Sequence, residues 1–449
     1  MAKNYTISEL SKRLKVSQRT LLREIKRGNL ASNKVGRRFL ISQKQLNTYL
    51  ARELTDTDKL VQDYLKEKKP EMINLLQRMI TMPSESKNFQ DELRLAKFIK
   101  KFLDKQGIRN RLYKKGEAIA LRATYGYADK GLLLDCPLDT TPAGDRDKWT
   151  FPPYEGVIKS GKMYGRGTAD CKAGMVCMIY SVMALKKFVD EEKVRIEMVF
   201  DGGEQSGAYL GMKLIADKGI YANSGIVGYA GDSYELPVGA RGYHRYTIIA
   251  KGESAHTGGR YRKGVNAISK MAKLICELEG VKMPVPKGDY FKFGQRLTVA
   301  IIRGGRAINI TPDECVAQID VRTSPEFKRS GVTKLIQSTI NRITRIDNEA
   351  EFKLTYDLGQ EGYSFSEKNK LIKSLSNAIK VNHGKSVETI ANGPAHIGNL
   401  LAEYGIPVTV WGPRGGKVHS YDEFIELDSL TKTSKVYFDM TKDYFMLSE

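Results

Sequence analysis

Three helix starts are written into the first fifty residues, with almost no chain left between them. Thr6 and Glu9 have the spacing of a capping box, and Tyr5 and Leu10 are placed as the hydrophobic staple across it. Ser17 follows as a second cap, with Val16 and Leu21 in the staple positions. Ser42 and Gln45 form a third box, stapled by Ile41 and Leu46. Each cap offers an acceptor to N–H groups that have no partner within their helix. The first helix is expected over Ile7 to Leu14, burying Leu10 and Leu14. Only Lys15 and Val16 separate it from the second, so the two must cross sharply, as in a helix-turn-helix.

In the second helix Leu21, Leu22 and Ile25 are expected to face inward, and Arg19, Arg23 and Lys26 share the opposite face. Gly28 ends it, and Lys34 to Ile41 reads as a tight β-ribbon with Arg37 and Arg38 at its tip. Charge supports this arrangement. The 449-residue chain carries a net charge of +21, and residues 1–52 hold thirteen Lys or Arg against Glu9 and Glu24, an excess of 11. So concentrated a basic surface suits a polyanion, whose phosphates release counterions on binding. The expected contacts to double-stranded DNA are Ser17, Gln18, Arg19, Thr20, Arg23 and Lys26 from the second helix, and Arg37 and Arg38 from the ribbon. A solubilising basic tail would lack this apolar periodicity; a three-helix protein-docking module is the other reading of the segment.

Taken together, "VSQRTLLREIKRGNL" and "VGRRFLIS" make Thr6–Leu50 similar to the excisionase/MerR-type winged helix-turn-helix. The resemblance implies a DNA-binding head over residues 1–52.

Residues 53–69 are charged and helix-prone, and Leu60, Val61 and Leu65 are spaced for one apolar face, which predicts a linker helix ending before Pro70. Beyond it, apolar strand-like runs alternate with amphipathic helices, the pattern of an α/β domain with a mostly parallel sheet. Gly131–Leu134, Arg195–Phe200, Gly225–Gly228 and Pro407–Trp411 are the clearest strands. In such sheets ligands bind beyond the carboxyl ends of the strands, which is where Asp139, Glu204 and His419 fall. The five cysteines have no C-x-x-C spacing, so neither a disulfide framework nor a thiolate zinc site is expected. Without an evident signal peptide or a run of about 18 apolar residues, a cytoplasmic protein with no membrane partner is expected.

Five segments resemble the di-zinc aminoacylase, carboxypeptidase, acetylornithine deacetylase and succinyl-diaminopimelate desuccinylase family, and they occur in its order. They are "LLLDCPLDTTPAGDRDKWTFPPYEGVIKSGKMYGRGTADCKAG", "DGGEQSGA", "GESAHTGGRYRKGVNAI", "INITPDECVAQIDVRTSP" and "WGPRGGKVHSYDEFIEL". The resemblance implies a metallopeptidase-like α/β lobe, residues 70–240 and 357–449, interrupted by an α+β lid at 241–356 that forms a homodimer. It also implies a chemistry: two zinc ions bound by His and carboxylate ligands, with a Glu as general base.

Carried over residue by residue, that chemistry is damaged. The first His ligand is replaced by Pro137, which has no donor, leaving Asp139 without the His it would orient. Glu204 stands as general base, with Asp139 the other catalytic candidate. The neighbouring ligand is the amide Gln205, and the next carboxylate is Tyr229, with Asp232 three positions late. Asp170, Gln205 and His419 remain as a candidate set for one weakly bound divalent metal, zinc by ligand type, or for none. Cys136 and Cys171 read as packing thiols, and His244, His383 and His396 as packing or surface histidines. The groups implied to hold a substrate are kept: His256, which the family reaches across to a partner's site, and Asn309 and Arg322, which hold a carboxylate. Two functions follow from these residues. One is a transcription regulator whose large domain binds an amino-acid, acyl-amino-acid or peptide effector without cutting it. The other is a metal-dependent amidohydrolase with an altered site that also binds DNA. An architectural recombination protein would leave the large domain unexplained.

Overall fold

The computed structural model describes residues 4–446 apart from Lys15, Arg37, Asp232, Ser233, Arg262 and Asp289, and apart from the side chains of 47, 49–56 and 446. The chain divides into two compact units, Met1–Lys68 and Lys69–Glu449.

In the first unit, helices Ile7–Leu14 and Gln18–Lys26 pack on a three-stranded antiparallel sheet. The caps act as their spacing requires. Glu9 N–H donates to Thr6 Oγ1 and Thr6 N–H to Glu9 Oε2. Thr20 N–H donates to Ser17 Oγ, and Ser42 and Gln45 close the third box. Tyr5, Leu10, Leu21, Leu30, Ile41 and Leu46 form one buried core, with Val16 and Ile25 against it. Two features differ from the sequence reading. The ribbon, Asn33–Val35 and Arg38–Ser42, gains a third strand from Asn4–Thr6, which pairs Tyr5 with Ile41. Leu22 is exposed rather than inward, because Leu21 and Ile25 already fill the side that faces the core.

The expected stop at Pro70 is absent: a single helix spans Gln43–Ile80 with Pro70 inside it. Proline removes the bond to the carbonyl four residues earlier, but Lys66 and Pro70 are both exposed, so water reaches that carbonyl. Val61, Leu65, Met72, Leu76 and Met79 are buried along the helix, whereas Leu60 is exposed.

The second unit is built on a six-stranded sheet. Its strands run in the order Val408–Val410, Ala222–Val227, Gly131–Pro137, Arg195–Asp201, Ala118–Gly126, Arg109–Lys115. The first four are mutually parallel, Ala118–Gly126 runs antiparallel to them, and Arg109–Lys115, antiparallel to Ala118–Gly126, completes the edge. Thr168–Phe188 is long and apolar enough to cross a membrane, but residues 168–185 are buried in this domain and only its last turn reaches solvent. Its approach to the sheet depends on Gly174, where a Cβ would fall 2.0 Å from the carbonyl oxygen of Gly228. The lid excursion runs from Gly242 to Gln360. Four antiparallel strands, Arg296–Gly304, Glu314–Thr323, Gly242–Lys251 and Glu351–Gln360 in spatial order, share an apolar core with helices Ala267–Glu279 and Arg329–Ile346. This is the split β-α-β-β-α-β arrangement.

Leu10 is fully buried at the centre of a small core. Leu10→Ala should cost the first unit about 2–5 kcal/mol. Hydrogen exchange should show its amides losing protection while those of the six-stranded sheet keep theirs.

Candidate DNA-contact face and binding cavity

On the first unit, Ser17, Gln18, Arg19, Leu22, Arg23 and Lys26 are exposed on Gln18–Lys26. Ser17 and Thr20 are committed locally, since their hydroxyl oxygens lie 2.8 Å apart and Ser17 also caps the helix. Arg23 and Arg27 flank Glu24 at 3.8 and 3.5 Å. Arg38 is exposed at the ribbon, and Arg37 lies outside the described residues.

On the second unit, a cavity of about 550 Å³ opens beyond the carboxyl ends of the parallel strands, between the lobe and the lid. Asp170, Glu204, Gln205, Tyr229 and His419 line one side, and Arg245 and Arg322 from the lid line another. Asp139 is fully buried just beneath. Its carboxylate accepts the backbone N–H groups of Glu204 at 3.0 Å and Gln205 at 2.9 Å. It therefore fixes the turn that presents Glu204, a task in place of the His it was expected to orient. Burial pushes its carboxyl up to about 6, against the lowering effect of those N–H bonds.

Gln205 Nε2 donates to Asp170 Oδ2 at 3.1 Å, and His419 Nε2 lies 2.7 Å from the same oxygen. Tyr229, standing where a carboxylate was expected, donates its hydroxyl to Glu204 Oε1 at 2.9 Å. Burial, then Asp170 and Asp139, push the Glu204 carboxyl well above its ordinary range, while the bond to Asp170 raises His419. The three candidate metal residues are thus brought together, but not as a metal site. Zinc needs converging lone pairs, whereas Gln205 turns an N–H toward Asp170 and His419 is already paired with it. Among the described residues, no group of three or more His, Cys, Asp or Glu could hold a metal ion. Cys136 and Cys171 are buried, their sulfurs against Met178 Sδ and the Pro137 carbonyl. Asp232 lies outside the described residues.

His256 and Asn309 are exposed neighbours on the lid, joined where Thr257 N–H donates to the Asn309 carbonyl, and neither lines the cavity. Arg322 lines it while holding Asp320 at 2.7 Å. His244 is buried beside Glu361 and His383 packs edge-on to Trp411. His396 is buried and lines the cavity.

Glu423 and Arg166 were not singled out in the sequence. Glu423, fully buried, accepts Arg166 Nη1 at 2.6 Å and the N–H groups of Gly167, Ala169 and Asp170, so it shapes the loop that presents Asp170. The signal available was an acid four residues after His419 in the terminal motif.

Residues 133–443 match Peptidase family M20/M25/M40, and residues 5–53 match a helix-turn-helix domain. The chain belongs to that peptidase family and carries a helix-turn-helix at its start. A probable succinyl-diaminopimelate desuccinylase of Staphylococcus epidermidis is 26% identical, the match covering 83% of this chain and 97% of the relative. Among solved structures, a dipeptidase of Saccharomyces cerevisiae superposes with a TM-score of 0.70 at 17% identity, covering 87% of this chain and 99% of its own. A dinuclear metal-binding peptidase of Bacillus subtilis gives 0.64 at 16%, covering 85% and 99%.

His396 supplies a pH test. Burial holds its imidazole down at about 4, from 6.5, so its unfolded form takes up a proton first as pH falls. Its contribution is complete above about pH 6.5 and is lost between there and about 4, up to about 3 kcal/mol. Denaturant titrations of His396→Asn, which keeps an acceptor for the Gly398 N–H, should show a flatter loss of stability over that window than the natural chain.

Proposed function

We propose that the protein is a cytoplasmic, sequence-specific DNA-binding regulator whose peptidase-like domain binds an amino-acid, acyl-amino-acid or peptide effector without cleaving it. The observation that carries this reading is the closed hydrogen-bond set in the cavity. Gln205 and Tyr229 stand where metal ligands belong and donate to Asp170 and Glu204, while the cavity and its Arg322 persist. The names of the relatives, desuccinylase and dipeptidase, agree on ligands built from amino acids. Pairing of two lids would join two heads, for half-sites about 34 Å apart or a multiple of that. An effector would change DNA binding only through unequal affinity for two arrangements of that dimer.

One observation favours a second reading. Glu204, the residue a hydrolase would use as general base, is retained beside Asp170, which suits an amidohydrolase with an altered metal site. Metal analysis of protein purified without chelator separates the two. Less than one zinc per chain is expected, rising in the Pro137→His, Gln205→Glu, Tyr229→Glu triple variant. Two tightly held zinc ions in the natural chain, with acyl-amino-acid hydrolysis lost in Glu204→Gln, would establish the hydrolase instead.

For the head, Arg19→Ala and Arg23→Ala should each weaken binding to duplex DNA and lower the salt dependence by about one phosphate contact. Fluorescence titrations across a salt series check this, and unchanged affinity in both variants would remove this face from the DNA interface.

A further inference from the structure

Positive charge on the second unit is gathered in one place. Residues 97–115 hold eight Lys or Arg against a single acid, Asp104, an excess of 7. With the excess of 11 in residues 1–52, these two stretches account for 18 of the net charge of +21. Residues 97–115 cover the end of helix Phe89–Lys105 and the strand Arg109–Lys115, joined by a turn at Gly107. Lys97, Lys101 and Lys105 are exposed and four residues apart, so they form a row along the helix at intervals of about 6 Å. Arg109, Arg111 and Lys115 are exposed on one face of the strand. That strand is the last in the six-stranded sheet, and among the described residues it pairs only with Ala118–Gly126.

Elsewhere on this unit, exposed basic groups are matched by acids. Lys273 reaches Asp347 at 2.9 Å, Lys251 reaches Glu314 at 2.7 Å and Arg342 reaches Glu277 at 2.6 Å. Among the described residues, none of the six groups on the helix row and strand face is bridged to a carboxylate; Asp104 takes Lys100 instead. Two of the six are held by aromatic rings, Arg109 over Tyr127 at 4.2 Å and Arg111 over Tyr113 at 5.1 Å. A ring orients a guanidinium without cancelling its charge.

We propose that this edge of the second unit is a phosphate-binding surface for duplex DNA, independent of base sequence and additional to the contact face on the head. The inference rests on the DNA-binding reading of the head and extends it to the large domain. Contacts between proteins centre on apolar side chains and are depleted in lysine. Here lysine dominates, and none of the large exposed hydrophobic residues lies between residues 89 and 126. Duplex DNA carries a charge every ~1.7 Å along its axis, so cations spaced by several ångströms meet phosphates wherever they lie along it. Because the chain carries a helix-turn-helix domain, duplex DNA is the polyanion it already approaches. Lysine and arginine on phosphate add affinity and fix position without reading bases. Sequence discrimination is thus left to the head, and the body strengthens binding to any duplex.

The test titrates the full chain onto a long random-sequence duplex across a salt series. A quadruple variant, Lys101→Gln, Lys105→Gln, Arg111→Gln and Lys115→Gln, should lower the slope of log affinity against log salt by about 3 to 4 and weaken binding at least about tenfold. The charge-keeping set Lys101→Arg, Lys105→Arg, Arg111→Lys and Lys115→Arg should keep the natural slope. Hydrogen exchange of the six-stranded sheet, unchanged in both sets, shows that the fold is intact. Adding Arg19→Ala and Arg23→Ala to the quadruple variant should lower the slope further, by what those two changes remove alone. An unchanged slope in the folded quadruple variant, while the head variants weaken binding, would overturn the surface and leave the head standing; the charges would then serve only to keep the sheet edge from pairing. Polyglutamate bound as tightly as the duplex through the same four residues would assign the surface to an acidic protein instead. If the natural chain binds no duplex, the surface and the head reading fall together.

Discussion

The cavity depends on one buried carboxylate. Glu423 sits near the end of the chain, fully enclosed, and takes four donors from Arg166–Asp170, far away in sequence. A charge buried this deeply is tolerable only when it is paired and hydrogen-bonded on both oxygens, and Arg166 with three backbone N–H groups meets that condition. Removing the carboxylate would strand Arg166 and release the loop that carries Asp170. Next along, Lys172 is buried and donates to the Met79 and Met82 carbonyls, tying the same loop to the end of the long helix. Asp170 is therefore held from both sides, whatever the cavity binds.

Around this fixed point, hydrogen bonds hold the other acids of the cavity. Asp139 binds backbone N–H groups, Asp170 is shared by an amide and an imidazole, and Glu204 is held by a phenol. Each of these acids thus has a neighbouring polar partner. Pro137 brings no side-chain polar group to satisfy, while Gln205 and Tyr229 supply an N–H to Asp170 and an O–H to Glu204.

The head was largely legible because its determinants are local. A capping box needs residues three apart and a staple five apart; both were visible in the sequence, the capping bonds form, and the staple residues join one core. Contacts between distant segments were not. The third strand of the sheet comes from Asn4–Thr6, whose partner lies some 36 residues on. Leu22 looked inward by helical spacing, yet two neighbours were enough to fill the core. Pro70 looked like a stop, but its side of the helix faces solvent and the lost bond costs little there.

For the cavity, the sequence by itself determined what three positions can offer, since Pro137 has no donor atom in its side chain, Gln205 carries no charge and Tyr229 is no carboxylate. It also placed Asp139, Glu204 and His419 at strand ends, because in an alternating α/β chain the residues after each strand must converge on one edge. Only the tertiary structure decided what the survivors do. Asp139 serves a backbone turn, Tyr229 reaches Glu204, and Glu423 and Arg166 govern the position of Asp170. These relations join residues 25 to 257 positions apart. A hydrogen bond depends on where two atoms meet in the folded chain, and residue type alone does not specify that meeting.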